Sequence, residues 1–235
     1  MRGYGQFCPV AKACEVVAER WTPLVLRELF CGSQRFNDLH RGVPLMSRSL
    51  LTQRLRALED AGVVARRRGA HGTWEYALTP AGEELRPVVE QLGAWGQRWA
   101  RRGVSAEDLD AGLLMWDVRR RLRKDQLPSR RVVVRFEFRS VPRGQATRRV
   151  WWLVAERGDA DLCLTDPGFE EDLHVEADLG AFTLVWTGRR RFADAVRAGQ
   201  IQLDGPRDLA RAFPGWLALS TFASIPSAAE AARRG

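Results

Sequence analysis

The stretch Ser47-Arg-Ser-Leu-Leu-Thr-Gln-Arg-Leu-Arg-Ala-Leu-Glu-Asp-Ala61, closed by Gly62, decides how the first hundred residues fold. Ser47 is an N-cap candidate, because its hydroxyl can accept a bond from a first-turn N–H. Leu51, Leu55 and Leu58 recur at i, i+4 and i+7, so they share one helical face and predict a buried stripe. At 100° per residue, Ser49, Thr52, Gln53 and Arg56 point the other way. That face carries hydrogen-bonding groups and positive charge with no large apolar group. These side-chain types reach base edges and phosphates in a major groove. Taken alone, the same pattern also suits an ordinary amphipathic surface helix.

The flanking sequence separates the two readings. Downstream, Val63-Val-Ala-Arg-Arg-Arg68 reads as a strand, Gly69-Ala-His-Gly72 as a turn, and Thr73-Trp-Glu-Tyr-Ala-Leu78 as a second strand with Trp74, Tyr76 and Leu78 on one face. Upstream, Phe36-Asn-Asp-Leu39 begins a short helix that ends near Gly42-Val-Pro44. Before it, Thr22-Pro23 reads as an N-cap followed by proline at the first helical position, with Leu24, Val25, Leu29 and Phe30 at helical spacing up to Gly32. Val10, Cys14, Val17 and Ala18 predict an earlier short helix. Helix, turn, helix, then a hairpin with Arg66, Arg67 and Arg68 beside its tip, is the order of a winged helix-turn-helix, in which the second helix enters the major groove. Hairpin arginines can follow the backbone or enter the narrow minor groove. The DNA-contact candidates are therefore Ser47, Arg48, Ser49, Thr52, Gln53 and Arg56 on the helix, and Arg67, Arg68 and His71 on the hairpin. Thr79-Pro80 starts a last helix with Leu85, Val88, Val89, Leu92, Trp95 and Trp99 in one broad stripe, bent slightly at Pro87. A small winged domain has little core for two tryptophans at its far end. They are expected to pack on a second copy or on the C-terminal domain.

Several ordered segments carry a family resemblance. Cys8-Pro-Val10, Glu19-Arg-Trp-Thr-Pro-Leu-Val-Leu-Arg-Glu-Leu29, Arg35-Phe-Asn-Asp-Leu39, Leu51-Thr-Gln-Arg-Leu-Arg-Ala-Leu-Glu-Asp-Ala-Gly62 and Glu75-Tyr-Ala-Leu-Thr-Pro-Ala-Gly82 resemble the HxlR-type winged-helix transcriptional regulators over residues 7–100. The resemblance implies a homodimer built on the first and last helices, with Val17, Val88, Leu92, Trp95 and Trp99 as interface candidates. It also implies binding to a pseudo-palindromic operator on double-stranded DNA, the two recognition helices ~34 Å apart. In several members a cysteine before a proline resembles a redox or electrophile sensor, which makes Cys8 a candidate. A thiol near a helix N-terminus is activated as thiolate, and Lys12 is close by. Packing is the alternative role for Cys8, and Cys14 and Cys31 read as small buried residues.

After the polar stretch Arg101 to Ala106, read as a domain junction, the pattern changes. Asp110 to Arg123 is expected to be helical, with Leu113, Leu114, Met115 and Val118 apolar. Val132-Val-Val-Arg-Phe-Glu-Phe138 alternates strictly, as a half-buried strand does. Val150 to Ala155 and Ala160 to Thr165 are two more strands joined by a tight hairpin at 156–159, and Leu173 to Asp178 is a fourth. Helices are expected at Leu179 to Thr187, Phe192 to Ala198 and Pro206 to Phe213, with a short strand at Ile201 to Asp204. Adjacent antiparallel strands followed by helices indicate an α+β domain, a sheet covered by helices. Phe136, Phe138, Trp152, Phe182, Trp186, Phe192 and Trp216, with Met115, are candidates to line an apolar ligand pocket there. A filled core without ligand is the competing reading. The segments 114–121, Trp152-Leu-Val154, Asp161 to Gly168 and Leu203-Asp-Gly-Pro206, with Trp216-Leu217, resemble the sterol carrier protein type 2 domain over residues 110–223. That resemblance implies helices and a sheet around an apolar tunnel and a hydrophobic small-molecule effector.

Composition agrees with this division. Of 235 residues, 37 are Lys or Arg and 29 Asp or Glu, a net +8. Residues 1–103 hold 16 basic against 10 acidic side chains, net +6, and residues 104–235 hold 21 against 19, net +2. The basic first part points to a polyanion. The longest apolar run, Val150 to Ala155, has six residues, far below the ~18–20 of a membrane span. No apolar h-region follows the N-terminus, so the expected location is the cytoplasm, with no membrane partner. Four scattered cysteines and three distant histidines give neither a disulfide framework nor a zinc site, so no metal and no cofactor are expected. No P-loop, nucleophile motif or dinucleotide fingerprint is present, so no catalytic residues are proposed. The sequence thus predicts a DNA-binding and dimerisation domain at 1–103 and a ligand-binding domain at 104–235 of a dimeric, ligand-responsive repressor. Its rivals are a Cys8 sensor with the second domain as scaffold, and a lipid-carrier or small-molecule-modifying protein.

Overall fold

The computed structural model describes residues 3–69, 72–100, 104–156 and 159–228, and they form two compact units that divide between Gly93 and Ala94. The first begins with α1 (Pro9–Val17), α2 (Thr22–Phe30), α3 (Phe36–Gly42) and α4 (Arg48–Asp60). The antiparallel hairpin β1 (Val64–Arg68) and β2 (Trp74–Leu78) follows, then α5 (Pro80–Glu84) and α6 (Arg86–Trp95). Val25, Leu26 and Leu29 of α2, Leu39 of α3 and Leu51, Leu55 and Leu58 of α4 bury against one another and against Val63 and Val64. The i, i+4, i+7 stripe is therefore the surface that seats α4.

Several local features differ from the sequence reading. Trp21, at φ 78°, precedes α2 as its cap, and Thr22 lies one residue inside the helix, buried. The α1 stripe does not enter the core: Val10 is exposed, while Val16 and Val17 pack partly on the core. The last helix is two helices. The chain breaks at Leu85, so Pro87 falls in the first turn of α6, where its missing N–H leaves no bond unmade. A π-helical turn at Gly96–Ala100 follows α6 and belongs to the second unit. It is fixed there because Gln97 donates to the Thr187 carbonyl at 3.1 Å and its own carbonyl accepts from Arg189 at 2.7 Å. The division between units so precedes the expected junction at Arg101 to Ala106, of which 101–103 lie outside the described residues.

The second unit holds α7 (Ala111–Arg120), β3 (Val132–Arg139), β4 (Val150–Glu156), β5 (Asp159–Cys163), β6 (Leu173–Asp178), α8 (Leu179–Trp186), α9 (Phe192–Arg197), β7 (Ile201–Asp204) and α10 (Arg207–Trp216). Asp110 caps α7 by accepting from the Leu113 N–H, and Asp178 caps α8 by accepting from Ala181. The five strands run in the order β5-β4-β3-β6-β7. The sheet is mixed, which corrects the antiparallel expectation. β3 pairs antiparallel with β4 but parallel with β6, Val134 opposite Leu173 and Phe138 opposite Ala177. Periodicity places residues on faces and says nothing about which neighbour a strand takes. The hairpin expected at 156–159 is represented by the Glu156–Asp159 pair, its two central residues lying outside the described ones. Val132, Val134, Phe136 and Phe138 are buried beneath Met115, Phe182, Phe213 and Trp216 of the helices.

Candidate nucleic-acid interface

The site is assembled around α4. Ser47, with extended backbone at φ −64° and ψ 149°, accepts the Leu50 N–H on its hydroxyl at 3.2 Å, and this fixes where the helix starts. Ser47, Arg48, Ser49, Gln53 and Arg56 are exposed and Thr52 is partly buried. The side chains of Gln53 and Arg56 have no hydrogen bond or ion pair among the described residues, so both are free to meet a ligand. The other four helix candidates are partly committed. Thr52 donates to the Arg48 carbonyl at 3.0 Å, and the Ser47 and Ser49 hydroxyls are 3.1 Å apart. Arg48 donates to Asn37 Oδ1 at 2.6 Å and lies 5.2 Å over the Phe36 ring, which ties the start of α4 to α3. Arg54, on the same helix, is structural: it bonds Glu19 at 2.8 Å and the Arg20 carbonyl at 3.2 Å.

The hairpin brings positive charge to the same unit. Thr73 closes the turn by accepting the Gly69 N–H, and Gly72, at φ 69°, donates to Gly69. His71, a sequence candidate, lies outside the described residues. The register sets Arg68 opposite Trp74, Arg67 opposite Glu75 and Arg66 opposite Tyr76. Arg67 and Arg68 therefore occupy opposite faces. Arg67 is 3.9 Å from Glu75, whereas Arg66 and Arg68 place Cζ 4.2 and 4.1 Å from the Trp74 ring centroid. The sequence-based candidates omitted Arg66. The signal was available in the two-residue alternation, which puts it with Arg68.

The remaining candidates scatter. Val88, Leu92, Trp95 and Trp99 are exposed, the two tryptophans at 61% and 60%, while Val17 packs partly on its own core. Cys8 precedes α1 and is partly exposed, and none of the four cysteines forms a disulfide among the described residues. Lys12 pairs with Glu15 at 3.1 Å. In the second unit Phe136, Phe138, Phe182, Phe213 and Trp216 form one aromatic cluster, with neighbouring rings 5.7–6.1 Å apart. Phe192 joins its edge through Phe213, and Met115 and Trp186 are buried in the same core. Trp152 is not part of it. It pairs with Arg135 on the opposite face of the sheet and donates Nε1–H to Glu171 at 2.8 Å. Among the described residues no group of three or more metal-ligating side chains occurs, and no helix is long and apolar enough to cross a membrane.

Comparison with known proteins adds the following. The family profile described as HxlR-like helix-turn-helix matches residues 16–104. The HTH-type transcriptional regulator YvaP of Bacillus subtilis (strain 168) is 34% identical over 97 residues, which cover 40% of this chain and 90% of that protein. The HTH-type transcriptional regulator sll1512 of Synechocystis sp. (strain ATCC 27184 / PCC 6803 / Kazusa) is 36% identical, covering 40% and 72%. Among solved structures, the redox regulator HypR in its oxidized form is 33% identical with a TM-score of 0.37, covering 41% of this chain and all of that one. With a capped helix seated on three leucines, an arginine-bearing hairpin after it, and relatives matched along most of their length, the chain belongs to the HxlR-type helix-turn-helix transcriptional regulators.

Proposed function

We propose that the protein is a dimeric, sequence-specific repressor that binds a pseudo-palindromic operator on double-stranded DNA, and that a hydrophobic or aromatic small molecule taken up by the second unit changes that binding. In this reading residues 1–103 bind DNA and dimerise, residues 104–235 take the effector, and the protein works in the cytoplasm. The observation that carries the DNA half is the outward face of α4: Gln53 and Arg56 are exposed and uncommitted on a helix whose opposite face is locked into the core. Such side chains make bidentate contacts with adenine and guanine edges. The dimer is supported by the exposed Val88, Leu92, Trp95 and Trp99. Large apolar side chains left on a surface at helical spacing mark an interaction site. The effector is supported by the aromatic composition of the second unit, whose core is a cluster of packed rings under a helix layer. A differential affinity of ~1–3 kcal/mol between two conformations is enough to couple effector to operator. Mobility shifts on the DNA upstream of the protein's own coding sequence, with and without apolar candidates, test it. A shift that specific competitor removes and an apolar molecule alters is expected. Absence of any sequence-specific shift at moderate salt overturns it.

A second reading makes Cys8 the sensor and the second unit a scaffold. It is favoured by the position of this partly exposed thiol at the start of α1. Cys8→Ser protein that keeps its full response to oxidant in cells eliminates it.

A further inference from the structure

The geometry of the hairpin points to a role for Trp74 that neither the helix nor the charge count contains. We propose that Trp74 is a positioning residue, holding Arg66 and Arg68 as a stacked pair of guanidinium planes that reads the narrow minor groove beside an operator half-site. The inference rests on the DNA-binding reading above. On β1, alternation puts Arg66 and Arg68 on one face and Arg67 on the other. Trp74 stands directly across from Arg68 and diagonally across from Arg66, and both guanidinium groups lie over its ring, at 4.1 and 4.2 Å. The same face of β2 continues through Tyr76 and Leu78, which pack on the hydrophobic core, so the ring stands at the outer end of an anchored strand. Trp74 is nevertheless 43% exposed. An interior role does not account for that exposure.

Stacking changes what the arginines can do. A guanidinium laid on a ring keeps its N–H edges free while its plane is fixed, so less rotamer freedom is lost when those edges dock. Arg68 is held further by donating to the Gly72 carbonyl at 2.6 Å. Arg67 lacks the ring and faces Glu75 instead. The hairpin thus has one cationic face prepared for insertion and one that is internally balanced. Narrow minor grooves of A·T tracts carry the most negative potential and take inserted arginines. An exposed indole beside those arginines adds an apolar contact to the sugar edges.

The test uses the full chain and a duplex that the wild-type protein selects from random-sequence DNA, remade with either A·T or G·C flanks. Wild type is expected to prefer A·T flanks. Trp74→Ala should weaken binding to that duplex about fivefold to tenfold and erase the flank preference. Its salt dependence should fall by less than one unit, because both charges remain, while Arg66→Ala with Arg68→Ala lowers it by about two. Trp74→Phe, which keeps an aromatic face and guards against loss of the hairpin itself, should recover most of the affinity lost in the alanine variant. Adding Trp74→Ala to the double arginine variant should cost less than about twofold more. Wild-type behaviour of Trp74→Ala, or an equal loss with and without the arginines, overturns the role of Trp74 while the DNA reading stands. If the wild type selects no sequence, the DNA reading fails and takes this proposal with it.

Discussion

Glu28 shows how much of the first unit depends on single residues whose role periodicity does not mark. Its side chain is fully buried, paired with Arg27 at 2.8 Å, and Arg27 also donates to the Gly42 carbonyl at 2.8 Å. A Cβ on Gly42 would sit on the Glu28 carboxylate, so a larger residue there forces this buried, paired side chain to move. Gly42→Ala is therefore expected to destabilise by about 2 kcal/mol or more, and a urea unfolding midpoint equal to wild type would contradict this. Arg27-Glu28 reads in sequence as two ordinary solvated helix charges, and the burial comes from a tertiary approach that periodicity does not encode. Trp151 and Trp152 make the same point. Adjacent in sequence, they fall on opposite faces, Trp151 buried with the aromatic core and Trp152 bonded to Glu171. Phe136→Ala, which empties the centre of that core, should cost about 3–5 kcal/mol, and Trp152→Ala clearly less. Glu15 gives a pH-dependent case. The Tyr4 N–H, bonded to Oε1 at 2.9 Å, and then Lys12 hold its carboxyl below the ordinary glutamate value. A folded-state value below the unfolded one stabilises above the unfolded pKa, and the contribution disappears as pH falls through the folded value. An NMR titration should show the lowered midpoint, and Lys12→Ala should raise it only in part, since the backbone bond is the larger cause.

At the scale of elements, the helices and strands of the first unit could be read because each carries its own local signal. Leu51, Leu55 and Leu58 placed α4, Ser47 placed its start, and Gly62, at φ 71°, its end. The exceptions follow from backbone chemistry. Pro87 was read as a bend inside one helix, but it marks the first turn of a new one. The three hairpin arginines were read as a run, but the register divides them between a Trp74 face and a Glu75 face. The roles of the two elements predict different phenotypes. Gln53→Ala or Arg56→Ala should lower affinity for the operator by about 1–3 kcal/mol and relax preference at particular base pairs. Arg67→Ala should weaken binding to all sequences and lower the salt slope by about one unit per lost phosphate contact, whereas Arg68→Ala should in addition reduce the preference for A·T flanks while leaving the preference for base pairs under α4 intact. Quantitative binding on operator and scrambled duplexes at several salt concentrations separates these outcomes. Equal losses on every sequence from both sets would contradict the division.

For the whole molecule, the two-part charge and pattern contrast was visible in the sequence, while the edge of each unit and the strand order of the second were not. The unit division inside α6 depends on Gln97 meeting Thr187 and Arg189, residues about ninety positions away. The parallel pairing of β3 with β6 likewise joins segments separated by two intervening strands. Long-range choices of this kind leave no periodic trace. The central claim is that α4 reads sequence. Its most direct measurement is the binding of the full chain, at about 0.15 M salt, to the duplex upstream of its own coding sequence and to a scrambled duplex of equal composition, for wild type and for Gln53→Ala with Arg56→Ala. The account predicts a specific Kd on the order of 10⁻⁸ M, at least a thousandfold tighter than the scrambled duplex by the usual order-of-magnitude ratio, with most of that ratio lost in the double variant. Equal affinity of the wild type for both duplexes, or an unchanged ratio in the double variant, would contradict it.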